Sequence, residues 1–184
     1  MAENDTQGLL ADPADLAVHT RLPADSPRLE LAVRRASDRF IGEVGHPVVR
    51  VEDDTVELDG NGRQVLHLPA APIEGTPTVS IDGDTITDFQ LSLRHGILRR
   101  RDGRWPSGLG NIEVTYTHGH RTIPGDIADA VLEHAATIAT SLAHVQQESA
   151  GSNSVGFGTQ AAVGVTQKWS DTVARHQLNT GDSA

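Results

Sequence analysis

The hydrophobic period of this chain changes twice along its length, and that change limits the folds open to it. Leu29, Val33, Ala36, Phe40 and Val44 recur every three or four residues, while Arg28, Arg34, Arg35, Asp38 and Arg39 fall elsewhere on the wheel. That is the stripe of an amphipathic helix. Ser26-Pro27 opens it, and Gly45 and Pro47 end it. A shorter helix precedes it, with Asp12 as N-cap, Pro13 at the first helical position and Asp15 in the first turn. It ends before Arg21-Leu22-Pro23. From Val48 the pattern breaks into short β-type runs: Val48–Val51, Thr55–Leu58, Val65–Leu68, Thr78–Ile81, Thr85–Leu91, Gly96–Arg100 and Ile112–Thr117. Asp59-Gly60, Asn61-Gly62, Asp82-Gly83 and Asp102-Gly103 lie between them and suit the positive φ of tight hairpin turns. Pro69, Pro72 and Pro77 mark a break in pairing, because proline donates no ladder hydrogen bond. The helical period then returns. Pro124 and Asp126 open a helix with Ile127, Val131, Ile138, Leu142 and Val145 in one stripe. Ala130, Ala135 and Ala139 beside that stripe allow close helix–helix approach.

These periods predict an α+β fold. A small helical bundle, with helices near 12–20, 27–44 and 124–147, carries an inserted antiparallel β region at about 48–118, read as a meander. The globular part is expected to span 1–148 and an extended C-terminal arm 149–184. The arm begins AGSNSVGFGTQAAVG, rich in Gly and Ser. Ordering a backbone costs about 1–2 kcal/mol per residue, and such a stretch has few apolar groups to offset it. A short amphipathic segment follows, with Val165, Trp169, Val173 and His176 at helical spacing. The arm is therefore expected to dock on another protein, with Val165, Trp169 and Val173 as the apolar contact and Lys168 and Arg175 at its rim.

Composition excludes several functions. Fifteen basic and 25 acidic residues give a net charge of -10, the reverse of the usual free nucleic-acid binder. With no cysteine there is no disulfide framework, thiol nucleophile or cysteine metal site. The start, MAENDTQGLLADPADL, carries acids where a signal peptide needs bases, and no stretch approaches the ~20 apolar residues of a membrane span. A cytoplasmic protein without membrane contact is expected. Aromatics are only 3% of the chain, so the core must be mostly Val, Ile, Leu and Ala.

Few residues suggest chemistry. His118 and His120 lie two apart, as ligands on one strand face would, and His134 or Asp126 offers a third ligand. The neighbouring Gly119 and Arg121–Pro124 instead favour a turn leading into the helix. Ser37, Ser80, Ser92, Ser107 and Ser141 lack a nucleophile-elbow setting. Gly156-Phe157-Gly158 lacks a phosphate-loop lysine, and Gly108-Leu109-Gly110 lacks the third glycine of a dinucleotide fingerprint. No catalytic residue, metal ligand or cofactor is assigned, and no enzyme activity is expected. Arg94, Arg99, Arg100, Arg101 and Arg104 crowd eleven residues around Asp102-Gly103. They read as a hairpin tip that touches DNA phosphates or an acidic partner, or as a solvated hairpin paired with Glu52, Asp53, Asp54 and Glu57. Trp105 beside them is either an interface anchor or a core residue.

Three pieces of sequence taken together carry a resemblance: IEVTYTHG, the helix starting PGDI, and the tail ending in QKW. With LPAAP in the β insert, they make the chain, over about 9–179, resemble the head-to-tail connector (adaptor) proteins of long-tailed phages, in the actinobacteriophage form. The resemblance implies a homo-oligomeric ring, usually a dodecamer, beneath the portal protein. Such a ring extends the DNA channel, lets double-stranded DNA pass without sequence specificity and offers a surface to the next neck or tail protein, such as a stopper. It also implies a place in the virion neck after assembly in the host bacterial cytoplasm. The alternatives are a DNA-binding accessory protein using the arginines at 94–104 and, further off, a metal-dependent hydrolase using the His-Gly-His region.

Overall fold

The computed structural model describes residues 8–147 and 165–178, with the backbone alone for 141–147. The described residues form two compact units, one of helices and one of strands. Together they make the α+β fold that the periods predict.

The helical unit holds α1 (Pro13–Thr20), α2 (Pro27–Val44), α3 (Gly125–Gln147) and α4 (Gln167–His176). Asp12 caps α1, its carboxylate accepting from the Ala14 amide at 2.8 Å, and Arg21 closes the helix in the left-handed region at φ 58°. The stripe of α2 is buried as the spacing predicts, at Leu29, Val33, Ala36, Phe40 and Val44. It packs against Ile127, Ala130, Val131, Ala135 and Ala139 of α3, all buried. Each fully buried large apolar side chain contributes about 1.5–3 kcal/mol, so this seam is the main cohesion of the unit. Leu10 is buried too, and its amide donates to the Ser37 hydroxyl at 3.0 Å. The positions at Leu142 and Val145 lie outside the described side chains.

The β unit contains seven strands: β1 (Val51–Asn61), β2 (Val65–His67), β3 (Ile73–Ile81), β4 (Asp84–Ile86), β5 (Phe89–Ser92), β6 (Ile97–Arg100) and β7 (Ser107–His118). They form a four-stranded sheet in the order β1-β7-β3-β4 and a three-stranded sheet in the order β2-β6-β5. Every strand pair is antiparallel. Leu66, Ile73, Val79, Phe89, Leu98, Trp105, Ile112, Val114 and Tyr116 meet in its core. Burial and the nearby Asp54 charge push the Tyr116 hydroxyl up to about 12.

A meander would pair all its strands in chain order; here only β3 with β4 and β5 with β6 do so. The long strand β7 sits between β1 and β3, while β2 pairs with β6. Asp82-Gly83 is a hairpin turn as expected, with φ of 50° and 91° between Ile81 and Asp84. Asp59-Gly60 is not a turn. Both residues continue β1 through a bulge between Leu58 and Gly60, and a Cβ on Gly60 would lie 2.0 Å from the Pro106 carbonyl oxygen. The glycine is there for close backbone approach. Asp102-Gly103 is not a hairpin tip either, because the strands on its two sides belong to different sheets. Pro77 lies where β3 loses register against β7, between Glu74 and Thr78, as a residue without an amide donor requires.

Candidate functional site

The residues singled out by sequence fall into three places, and the structure treats each differently. The most developed is the seat of α4 in the helical unit. Thr166 caps this helix, its hydroxyl accepting from the Trp169 amide at 3.2 Å. Trp169, Thr172 and Val173 are buried and His176 half-buried, so one face of α4 is covered. Trp169 is 1% exposed. Its ring meets Phe40 edge-on at 5.3 Å and lies 4.7 Å from the His134 ring. Its indole N–H donates to the Glu43 carboxylate at 2.7 Å, and the Arg39 guanidinium sits 5.9 Å from the ring.

Charges frame this seat with opposite signs. Lys168 pairs with Glu133 at 2.6 Å, and Arg175 and His176 both reach Asp126, at 2.8 and 3.1 Å. Arg39 bonds Glu43 at 2.7 Å and places a guanidinium nitrogen 3.2 Å from His134 Nε2. Arginine can only donate, so that nitrogen accepts and carries no proton. Burial and the Arg39 charge both hold His134 below the ordinary histidine range. Burial raises the Glu43 carboxyl, but the Trp169 and Arg39 hydrogen bonds outweigh it and leave the group below its ordinary value. Asp126 behaves alike, lifted by burial and lowered further by His176 and Arg175.

The expectation that Trp169 and Val173 meet another protein is carried forward as a proposal, and within this chain the two have a seat of their own. Both are covered by the helical unit itself, and Lys168 and Arg175 are engaged with Glu133 and Asp126. Val165, ahead of the helix, is 39% exposed. The sequence showed the apolar stripe of α4 but not its receptor. Phe40 and His134 belong to stripes already assigned to the α2–α3 seam, and nothing in their spacing marks a third helix against them. Residues 149–164 and Gly156-Phe157-Gly158 lie outside the described residues.

The arginine cluster is split by the fold. Arg94 lies in the turn between β5 and β6, Arg99 and Arg100 on β6, and Arg101 and Arg104 in the loop leading to β7. Only Arg100 forms an ion pair among the described residues, with Asp88 at 3.0 Å, and its guanidinium lies 5.6 Å from the Trp105 ring. Glu52, Asp53, Asp54 and Glu57 pair with none of the five. Arg94, Arg99, Arg101 and Arg104 are exposed. Arg99 donates to the Gln64 side chain at 3.3 Å, and Arg101 to the Phe89 carbonyl at 3.3 Å. Trp105 is a core residue, 1% exposed. Arg101 joins Thr76, Thr87, Phe89 and Gln90 along an open groove of about 740 Å³.

The His-Gly-His segment is the end of a strand and not a turn: His118 is the last residue of β7, Gly119 is a bend and His120 bridges to Val49. His118 is 1% exposed and bonds Asp54 through Nε2 at 3.0 Å. A Cβ at Gly119 would lie 2.5 Å from the Val49 carbonyl oxygen, so this glycine admits the chain crossing there. The His120 amide donates to the Val48 carbonyl at 2.8 Å. Asp126 and His134, the other ligands considered, are occupied in the α4 seat. Among the described residues no three His, Cys, Asp or Glu side chains gather into a metal-binding set. Gly108 and Gly110 belong to β7, where the Gly110 amide donates to Asp59 at 2.7 Å.

The fold is a helical unit carrying a two-sheet antiparallel insert. Two solved structures share it. One is described as the neck of an empty GTA (gene transfer agent) particle computed with C6 symmetry, with a TM-score of 0.55 at 16% identity. The other is the neck of a native GTA particle computed with C12 symmetry, with a TM-score of 0.52 at 15% identity. Each likeness covers 97% of this chain and 93% of the other. No protein-family model and no curated protein sequence matches the chain. Among the described residues, no helix is long and apolar enough to cross a membrane.

Proposed function

We propose that this chain is a structural, non-enzymatic subunit of a phage-like particle neck. The observation that carries the reading is the likeness in fold to neck chains over 97% of the length. The cyclic symmetry of those necks and the resemblance of the IEVTYTHG, PGDI and QKW segments to phage adaptors support a ring. In this reading the ring holds about twelve copies and sits beneath the portal protein. It extends the DNA channel and receives a stopper or the next tail protein on its far face. The actinobacteriophage form of the adaptor remains part of the reading, with assembly in the bacterial cytoplasm and a final place in the virion neck. The net charge of -10 suits a channel past which DNA phosphates slide without sticking.

The test is co-expression with the portal protein of the same particle, followed by native mass measurement. Many copies per portal ring are expected. A single copy per portal ring, or no association, overturns the reading.

One observation favours a second reading, DNA contact through the β unit. Arg94, Arg99, Arg101 and Arg104 are exposed and form no ion pair with a described acid. Duplex affinity that falls with salt, and falls less steeply once these four are glutamine, supports it.

A further inference from the structure

We propose that α4 is exchanged between copies in the assembled ring, each subunit's α4 filling the α2–α3 seat of its neighbour. The proposal rests on the ring reading above and adds to it the segment and the seat that join one copy to the next.

The first support is reach. Lys168 meets Glu133, and Arg175 meets Asp126, so α4 runs antiparallel to α3. From Glu133, α3 continues to Gln147, a rise of about 20 Å at 1.5 Å per residue. A connection back to Gln167 therefore needs only about six or seven extended residues. Nineteen residues separate Gln147 from Gln167, with a reach of about 65 Å. The connection is several times longer than seating α4 on its own chain requires.

The second support is the nature of the seat. A ten-residue helix does not hold its shape alone in water, so α4 persists only where Trp169 has a receptor. That receptor consists of Phe40, His134 and Glu43, with Asp126 and Glu133 at the rim. None of these lies beyond α3 or in the connection, so a neighbour's seat offers the same contacts, hydrogen bond and ion pairs. The contact energy then cancels between the two arrangements, and effective concentration decides which is populated. In a dilute monomer the chain's own seat wins. In a closed cyclic ring, every seat has a neighbouring α4 arriving from the same direction, and exchange propagates around the ring without an unfilled end.

The chain has no cysteine, which makes the test direct. A Glu133→Cys, Lys168→Cys double variant is assembled on its portal and treated with a short bis-maleimide. The product is separated under denaturing conditions, and native mass is measured on the untreated sample. Exchange predicts a ladder of covalently joined subunits from the ring, and internally linked monomers from the dilute free protein. A ring by native mass that yields only internally linked monomers overturns the exchange and leaves the neck reading standing. Absence of any ring overturns both.

Discussion

Trp169 concentrates more of the helical unit's packing than any other residue of α4. Trp169→Ala should lower stability by about 3–5 kcal/mol, the usual cost of emptying a buried tryptophan site, seen as a fall in the urea midpoint. Glu43→Ala removes the acceptor of the indole N–H and should cost about 1 kcal/mol. An unchanged midpoint in Trp169→Ala would show that α4 does not hold this seat. His134 gives the same seat a pH dependence. Its pKa in the folded unit lies below the ordinary 6.5, so the unfolded chain takes up a proton first. The stability this group permits is whole above about 6.5 and declines as pH falls from there toward the folded value. Glu43 and Asp126, also held low, lose their contribution only at more acid pH, as they protonate. His134→Gln should therefore flatten the decline that begins below about pH 6.5 and leave the acid limb in place. A decline that keeps its size in the variant, measured by urea titration across that range, would contradict the assignment.

At the scale of elements, α4 is the piece whose loss is most telling. Truncation after residue 164 should expose Phe40 and His134 and lower the thermal midpoint, because the capped helix and its three ion pairs go together. A truncated chain as stable as the full one would mean that α4 contributes no net packing. In the β unit, Gly60→Ala places a methyl 2.0 Å from the Pro106 oxygen, and backbone cannot yield there as a side chain would. Misfolding or a clear fall in midpoint is expected. Much of this level was legible in the sequence. The helix bounds followed from Asp12, Pro27 and Pro124 and from the three- and four-residue spacing, because those signals act within a single turn. Strand pairing was not legible, since the partners of β7 lie far away in sequence and its alternation fits either neighbour. Asp59-Gly60 and Asp102-Gly103 carry the composition of hairpin turns, yet one is a bulge and the other a crossing between sheets. Local composition permits positive φ without saying which strands flank it. The candidate site was half visible in the same way: the stripe of α4 was plain, and its receptor was hidden among positions that α2 and α3 already needed.

The whole molecule joins a fold shared with two particle-neck structures to a helix, α4, whose connection is longer than its own seat requires. The exposed arginines of the β unit are its proposed contact surface, in a chain of net charge -10. Replacing Arg94, Arg99, Arg101 and Arg104 by glutamine should reduce the salt dependence of duplex binding by roughly the number of phosphates they touch. An identical slope in the variant would return them to the status of solvated side chains. The central claim is the ring, and it is tested most directly by a cryo-EM reconstruction of the neck in particles that carry this chain. The account predicts a closed ring of identical subunits directly beneath the portal, with the four helices and two sheets fitting each repeat. A neck with no density for this fold, or a single copy beside the portal, would contradict it.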